Sequence, residues 1–325
     1  GSKTRGARFP VLPLIEGNKT VGHVKTLADQ DKLTTAYTER ACAFIRKNKD
    51  TPFFCYLPHS MPHVPLGVSS KFRGKSKQGL YGDVVMEIDW SVGQLHKTLR
   101  ECGLENDTLV IFTSDNGPWL NYGNHAGSTG GLREGKGTSF EGGQREPCIA
   151  YWPGKIKPGS TCSKLASTID FLPTFAKLTG APLPKKTIDG VDISGLLFGK
   201  SDANPRTRLY YYYNWKFEGV REGKWKLHFP HTHRSYVGVK PAMDGHPGPY
   251  AKGKIDWALY DLDADPQEKI NLLEKHPDVV ARLKKLGKAC ITDLGDIQNG
   301  KHVIGRGQRP AGKLPASPKP TKSKK

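Results

Sequence analysis

Thr108-Leu109-Val110-Ile111-Phe112-Thr113-Ser114-Asp115-Asn116-Gly117-Pro118 is the stretch on which the fold assignment turns. Its first six residues form a short, continuous apolar run, as a buried strand does, and the run ends in a loop carrying a carboxylate beside an amide. Two similar runs lie on either side of it, Pro52-Phe53-Phe54-Cys55-Tyr56-Leu57 and Cys148 to Trp152. Between the first two, Val84, Ile88, Val92, Leu95 and Leu99 recur at helical spacing and make one apolar face that stops at Gly103. Further helices are predicted from Leu33 to Lys47, with Leu33, Tyr37, Ala41, Phe44 and Ile45 facing inward, and from Lys164 to Thr179, closed by Gly180 and Pro182. Strands alternating with helices predict an α/β fold, a mixed and largely parallel sheet between helices, with the active site in loops beyond the strands' C-terminal ends.

The pattern changes after about Lys200. Leu209 to Tyr213, Gly219 to Arg221, Lys224 to Phe229 and Trp257 to Leu262 are short aromatic-rich runs, Glu222-Gly223 is a hairpin turn, and a helix follows from Pro277 to Thr292. The expected division is an α/β domain over 1–204, a smaller C-terminal α+β subdomain over 205–300, and a basic, disordered tail over 301–325. Hydrophobic residues at 36% and charged residues at 25% are the balance of a folded chain. No apolar run approaches the roughly eighteen residues of a membrane span, and no targeting pattern is present. The six cysteines contain no Cys-x-x-Cys pair, which speaks against zinc or a redox dithiol, and Cys55 and Cys148 are expected as buried thiols within their apolar runs. Formal charge is +19, of which the tail supplies +8 with no acid, leaving +11 for the remainder. With no aromatic residues among the tail's charges, no specific nucleic-acid partner is expected. The surplus elsewhere is compatible with an anionic substrate.

Three motifs carry chemistry. Asp115 and Asn116 supply adjacent oxygen ligands of the kind that suit Ca²⁺ or Mg²⁺, although an Asp-Asn-Gly stretch equally suits an ordinary turn. Gly135-Lys136-Gly137-Thr138-Ser139-Phe140-Glu141-Gly142-Gly143-Gln144-Arg145-Glu146-Pro147 sets one lysine among glycines that let backbone and cation approach an oxyanion, and its spacing is not that of a Walker loop. His59-Ser60-Met61-Pro62-His63-Val64-Pro65 offers histidines in a Pro-flanked loop, fit for acid or base work near neutral pH.

In this order the motifs resemble the sulfatases, especially the arylsulfatase A and N-acetylgalactosamine-6-sulfatase branch. The similarity continues through Tyr151-Trp152-Pro153-Gly154, Thr168 to Thr174, Val220 to Phe229, and Leu259 to Pro266 with Asn271-Leu272, so it runs from about Phe9 to Gly312. The resemblance implies an alkaline-phosphatase-like fold, with 1–204 as the C-terminal part of the catalytic domain. It implies hydrolysis of sulfate monoesters, on small molecules or sulfated glycans, in an exported protein of the periplasm, lysosome or secreted fraction. Asp115 and Asn116 match metal ligands, usually for Ca²⁺; Lys136 matches a lysine that binds sulfate oxygens; His63 matches a histidine that protonates the departing alcohol. His125, His231 and His233 fall in loops where the family shapes substrate choice, and Glu141 and Arg145 are assigned to holding the loop.

Several elements of the family pattern are not in these 325 residues: the formylglycine motif, an N-terminal aspartate pair for the metal, and a Lys and a His near the formylglycine. The formylglycine nucleophile comes from Cys or Ser in a C/S-x-P/A-x-R motif, and Cys42-Ala43-Phe44-Ile45-Arg46 lacks the Pro or Ala and lies on a predicted helix. The expectation is a truncated chain, inactive alone, with a partial metal shell and exposed apolar strand edges. Alternative readings are a phosphatase or phosphonate hydrolase of the same superfold, and a noncatalytic protein that holds sulfated polysaccharide.

Overall fold

The computed structural model describes residues 11–298 and 301–304. The chain divides into two compact units, one built from residues 1–206 and 234–252, the other from 207–233 and 253–325. In the first, β1 (Leu12–Glu16) and β2 (Lys19–Val24) form a hairpin, followed by α1 (Leu27–Gln30), α2 (Leu33–Lys47), α3 (Gly79–Glu101), β3 (Val110–Thr113), α4 (Glu141–Gln144), β4 (Cys148–Tyr151), α5 (Phe171–Thr179) and α6 (Ser194–Leu197). In the second, β5 (Arg208–Tyr213), β6 (Lys216–Glu222) and β7 (Trp225–His228) precede β8 (His231–Ser235) and β9 (Ala251–Ile255), which pair with each other and straddle the boundary. Then come β10 (Ala258–Asp261), α7 (Pro277–Leu294), β11 (Gly295–Gln298) and β12 (Lys301–Ile304).

In α2, Leu33, Ala41, Cys42 and Ile45 are buried, whereas Tyr37 is half-buried and Phe44 exposed, so the buried stripe is narrower than the sequence implies. The rest of the α2–α3 contact is polar: Thr38 Oγ1 lies 2.6 Å from Ser91 Oγ, and Thr35 Oγ1 donates to Glu87 at 2.9 Å. The second carboxylate oxygen of Glu87 accepts from Ser69 N at 2.9 Å, so a buried acid ties the segment after the His63 loop to α3. Met61, Leu66 and Val68 from that segment pack on Val84 and Ile88. His63 is thereby carried by a chain fixed to α3 on both its apolar and polar sides.

The parallel pairing expected from sequence is not observed. Every ladder among the described residues with a printed register is antiparallel, including β3 with β4 (Val110↔Tyr151 to Thr113↔Cys148). Residues 52–57 form no strand, and Phe54 and Tyr56 are 69% and 78% exposed. An apolar run becomes a strand only when a second segment satisfies its N–H and C=O groups. The same lack of cover leaves Cys55 and Cys148 exposed; the buried thiols are Cys42 and Cys290. The helix expected from Lys164 starts at Phe171 instead, after a 3₁₀ turn over Thr168–Asp170, and ends as expected at Gly180 with φ 72°.

In the second unit the sheet order is β10-β7-β6-β5, and Gly223 at φ 57° makes the β6–β7 turn. One face carries α7, whose Val279, Val280, Leu283 and Cys290 pack on Phe217, Val220, Leu227 and Leu259. Residues 234–252 group with the first unit, apart from the chain on either side of them. The reason is hydrogen bonding: Glu134 accepts from Ser235 Oγ (2.6 Å) and Tyr236 N (2.8 Å), and Asn121 Nδ2 donates to Gly248 O (2.7 Å). Of the expected tail, 301–304 form β12, and 305–325 lie outside the described residues.

Asp170 closes the C-terminal part of the first unit. Fully buried, it accepts from Ser167 N (2.9 Å), Val191 N (2.8 Å) and both Nε (2.7 Å) and Nη2 of buried Arg206, which also reaches Asp189 O (2.9 Å). Removing one partner of such a pair leaves an uncompensated buried charge. Asp170→Asn is expected to lower stability by about 3 kcal/mol or more in urea denaturation; a loss under about 1 kcal/mol, within the range of exposed pairs, would show that the pair does not hold this segment.

Candidate functional site

The site starts from two loops packed backbone to backbone. Residues 114–118 leave β3, and residues 133–143 return to lie against them: Gly117 N donates to Gly143 O (3.1 Å), Lys136 N to Pro118 O (2.9 Å) and Gly142 N to Arg133 O (2.8 Å). A Cβ on Gly117 would overlap the Gly142 carbonyl, one on Gly142 the carbonyls of Arg133 and Glu134, and one on Gly143 would come within 2.5 Å of Thr138 O. The sequence reading gave Gly142 and Gly143 to an oxyanion and Gly117 to the Asp-Asn-Gly loop. The structure gives Gly117, Gly142 and Gly143 to chain–chain packing, with Glu141 buried in the same turn.

Trp119 is a common neighbour of two of the predicted residues, Lys136 and His63. The Lys136 ammonium sits 5.3 Å from its ring centroid, and the His63 ring packs edge-on at 5.7 Å. Asp115 and Asn116 lie three and four residues before it, with Asn116 Nδ2 donating to Asp115 Oδ1. His63 and Lys136 are therefore brought together at one indole, which the Asp115-Asn116 pair precedes in the same loop. His63 Nδ1 lies 2.7 Å from Val64 O, which can only accept a hydrogen bond, so Nδ1 carries the proton and donates it in that bond.

Sequence reasoning missed several residues here. Glu146 ends the glycine motif, and burial, reinforced by the Asp115 charge and opposed by a Ser114 hydrogen bond, raises its pKa to about 7. Its Oε1 is buried without a hydrogen-bond partner. Tyr236 Oη donates to Lys136 O (2.6 Å), Tyr250 Oη accepts from Trp119 Nε1, and Arg234 Nη1 donates to Tyr250 Oη (3.2 Å). Trp119 directly follows a motif and was open to notice. The tyrosines and Arg234 sit in a segment more than a hundred residues away (|i−j| 131 for Trp119–Tyr250), and no local pattern marks them.

The other three predicted histidines have surroundings of their own. His125 packs against Gly245 with its Nδ1 buried and unpartnered; burial lowers its pKa, and Asp244 opposes that. His231 and His233 belong to the second unit. His231 is 3% exposed, with Nδ1 on Phe229 O (2.6 Å), its ring stacked 5.7 Å from that of His228, and Nε2 3.5 Å from Glu218. Such burial corrects the expectation of a substrate contact at His231. His233 is half-buried against Gly253.

Whether a cation fits was tested on the donor set. Asp115 and Asn116 offer hard oxygen ligands once the Asn amide rotates its oxygen inward, and the orphan Oε1 of Glu146 sits close enough for Asp115 to influence it. These residues fit part of a divalent shell; among the described residues no three His, Cys, Asp or Glu side chains converge as a metal site.

Comparisons with known proteins give the family. A family model described as Sulfatase matches residues 10–181, and one described as N-sulphoglucosamine sulphohydrolase, C-terminal, matches 135–290. The chain is 39% identical over 274 residues to arylsulfatase A of Homo sapiens, covering 82% of this chain and 54% of that protein. It is 38% identical over 283 residues to N-acetylgalactosamine-6-sulfatase of Canis lupus familiaris, covering 81% and 54%. The crystal structure of PsFucS1 sulfatase from Pseudoalteromonas sp. matches with a TM-score of 0.76 at 25% identity, over 88% of this chain and 57% of that one. The chain thus spans about half the length of the curated relatives it matches, and its fold class is the alkaline-phosphatase-like α/β one.

Two outcomes are expected. Gly142→Ala should cost on the order of 3 kcal/mol by overpacking, whereas Gly93→Ala, on an exposed face of α3 with open space around it, should gain roughly 0.5–1 kcal/mol; equal effects in urea denaturation would contradict the packing argument. The second concerns acid. Burial, with the charges of His228, His233 and Lys216, lowers the His231 pKa to about 4 from 6.5. Its contribution, on the order of 3 kcal/mol, is complete above pH 6.5 and erodes as pH falls toward 4, because the unfolded chain takes up the proton first. The pH dependence of denaturation should flatten in that window in His231→Gln, and an unchanged slope would contradict this.

Proposed function

The chain belongs to the sulfatase family, and on that premise we propose that it serves in the hydrolysis of sulfate monoesters, on small molecules or sulfated glycans, with the Trp119 face gripping the sulfate. The observation that carries the reading is the packing of a cation and an imidazole, Lys136 and His63, against the indole of Trp119, which follows an Asp-Asn oxygen pair in the same loop. Lys136, held by its backbone bond to Pro118 and by the Trp119 ring, presents a fixed positive charge to the sulfate oxygens as negative charge develops on the leaving group. His63, oriented through its Nδ1–H, is the group that in its doubly protonated form gives the Nε2 proton to the departing alcohol oxygen and is left as the neutral imidazole.

Asp115 and Asn116 would hold Ca²⁺, or Mg²⁺, whose charge neutralises the sulfate. No C/S-x-P/A-x-R motif occurs in the 325 residues, so on this reading the attacking formylglycine hydrate is supplied from outside them. No helix of the described residues is long and apolar enough to cross a membrane, and an exported location is proposed by family.

The test uses a chromogenic aryl sulfate with Ca²⁺. The 325-residue chain alone should show no multiple turnover. In a form of the protein that includes the modification motif, Lys136→Ala should lower kcat by roughly 100-fold or more. Near-unchanged kcat would make the lysine loop structural, and clear turnover by the chain alone would overturn the assignment of the nucleophile.

A further inference from the structure

We infer that Tyr236 is a positioning residue for Lys136: its hydroxyl fixes the carbonyl of the lysine, and so the base from which the ammonium is presented. The inference rests on the reading of Lys136 as the cation that meets the sulfate oxygens. Its starting point is the chain on either side of the lysine. Lys136 stands between Gly135 and Gly137, and Gly137 lies at φ 81°. A glycine accepts either sign of φ, so the peptide joining Lys136 to Gly137 can turn over with little movement of the chain beyond it. The lysine carries its charge on a flexible four-carbon stem, and a turned peptide would swing the base of that stem.

The hold comes from outside the loop. The Lys136 N–H donates to Pro118 O at 2.9 Å, and the Lys136 carbonyl accepts from Tyr236 Oη at 2.6 Å, across 100 positions of sequence. The second of these bonds sets the orientation of the Lys136–Gly137 peptide. Tyr236 is itself aimed from the same loop. Glu134, buried two residues before the lysine, accepts from Ser235 Oγ at 2.6 Å and from Tyr236 N at 2.8 Å. Glu134 and Lys136 thus take Tyr236 at its backbone and at its hydroxyl, which closes a latch between the lysine loop and the end of β8. The Tyr236 ring packs edge-on against Tyr250 at 5.6 Å, and its hydroxyl receives a further hydrogen bond from Arg234. Burial, with the Tyr250 phenol beside it and against the Arg234 charge, pushes the Tyr236 hydroxyl above its ordinary pKa, so it keeps the proton that it donates to the lysine carbonyl.

The far end of the lysine depends on the same returning segment. The ammonium sits 5.3 Å from the Trp119 ring centroid, and Trp119 Nε1 donates to Tyr250 Oη. Tyr236 therefore holds the base of the stem, while Tyr250 holds the ring under its head. Stabilisation of developing charge is largest for a cation already in place when the reaction begins. Removing the Tyr236 hydroxyl leaves the Tyr250 ring contact and the Glu134 bonds and frees the lysine carbonyl. Its effect on turnover passes through Lys136 and not through any contact of Tyr236 with the substrate.

The test measures kcat on a chromogenic aryl sulfate with Ca²⁺, in the form of the protein that includes the modification motif, for the parent, Tyr236→Phe, Lys136→Ala and the double variant. Tyr236→Phe should lower kcat about tenfold, the size of leaving one buried acceptor without its donor. In the Lys136→Ala background the same change should alter kcat by less than about twofold, because the group it positions is gone. A tyrosine that only supports the fold would lower kcat by the same factor in both backgrounds. Ser235→Ala removes one of the two Glu134 bonds that aim Tyr236; it should show the same dependence on Lys136 at a smaller size, and it decides the matter if Tyr236→Phe does not fold. Unchanged kcat in Tyr236→Phe, or equal factors in the two backgrounds, overturns the inference and leaves the role of the lysine standing. A Lys136→Ala kcat equal to that of the parent overturns the role of the lysine and the inference with it.

Discussion

No atom larger than hydrogen fits between the turn at Gly117 and the turn at Gly142-Gly143, and the rest of the site depends on that contact. It brings Asp115-Asn116, at the end of β3, and Lys136, on a loop that precedes α4, onto the same few ångströms of backbone. The contact is made by main-chain hydrogen bonds in both directions, Gly117 N to Gly143 O and Lys136 N to Pro118 O, so its geometry does not rely on flexible side chains. Rigidity of this kind is what electrostatic catalysis requires, because a cation that must be reoriented during the reaction loses much of its advantage.

Trp119 turns that backbone frame into a surface. Its indole receives Lys136 from one loop and His63 from another, and its Nε1 is committed to Tyr250 from a segment that interrupts the second unit's chain. The interruption is anchored at both ends by the first unit: Glu134 takes Ser235 and Tyr236, while Asn121 takes Gly248 and, through its carbonyl, Ala242. Residues from distant parts of the sequence therefore share one rigid neighbourhood, and the apolar ring is the element common to them.

What the sequence disclosed follows from the range of the forces involved. The α2 bounds, Leu33–Lys47, and the α7 start at Pro277 were legible because helix hydrogen bonds are local and Pro marks a first turn. Residues 52–57 were misjudged because a strand needs a partner the run itself does not specify, and Phe54 and Tyr56 stay exposed. Lys136, His63, Asp115 and Asn116 were legible as a motif constellation. Arg234 and Tyr250 were not, since Arg-Ser-Tyr and Pro-Tyr-Ala carry no periodicity, and only the tertiary return of 234–252 places them. His231 failed for the opposite reason. In the second unit, Lys226, His228 and Glu268 are fully buried, with Glu268 3.0 Å from the ammonium and 2.8 Å from the imidazole, and His231 completes that interior by stacking on His228. A histidine next to a loop is indistinguishable in sequence from one that closes a buried ionic cluster.

The strand that carries both outcomes shows how narrow the margin is. Within β8, His231 is buried, and three residues later Arg234 lies against Gly137. Successive side chains of a strand point to opposite faces, so a slip of one residue would turn Arg234 away from the Lys136 loop and bring a neighbour in its place. Strand pairing with β9 alone specifies this weakly, because the two strands are short and largely polar. The register is fixed instead by the buried Glu134 carboxylate, which holds Ser235 Oγ and Tyr236 N at once and accepts no shift without losing both bonds. Glu134 itself sits at φ 60°, two residues before Lys136, and its carbonyl is one of those pressed against Gly142. The close glycine packing that sets Lys136 against Asp115-Asn116 thus also sets the acid that positions Arg234.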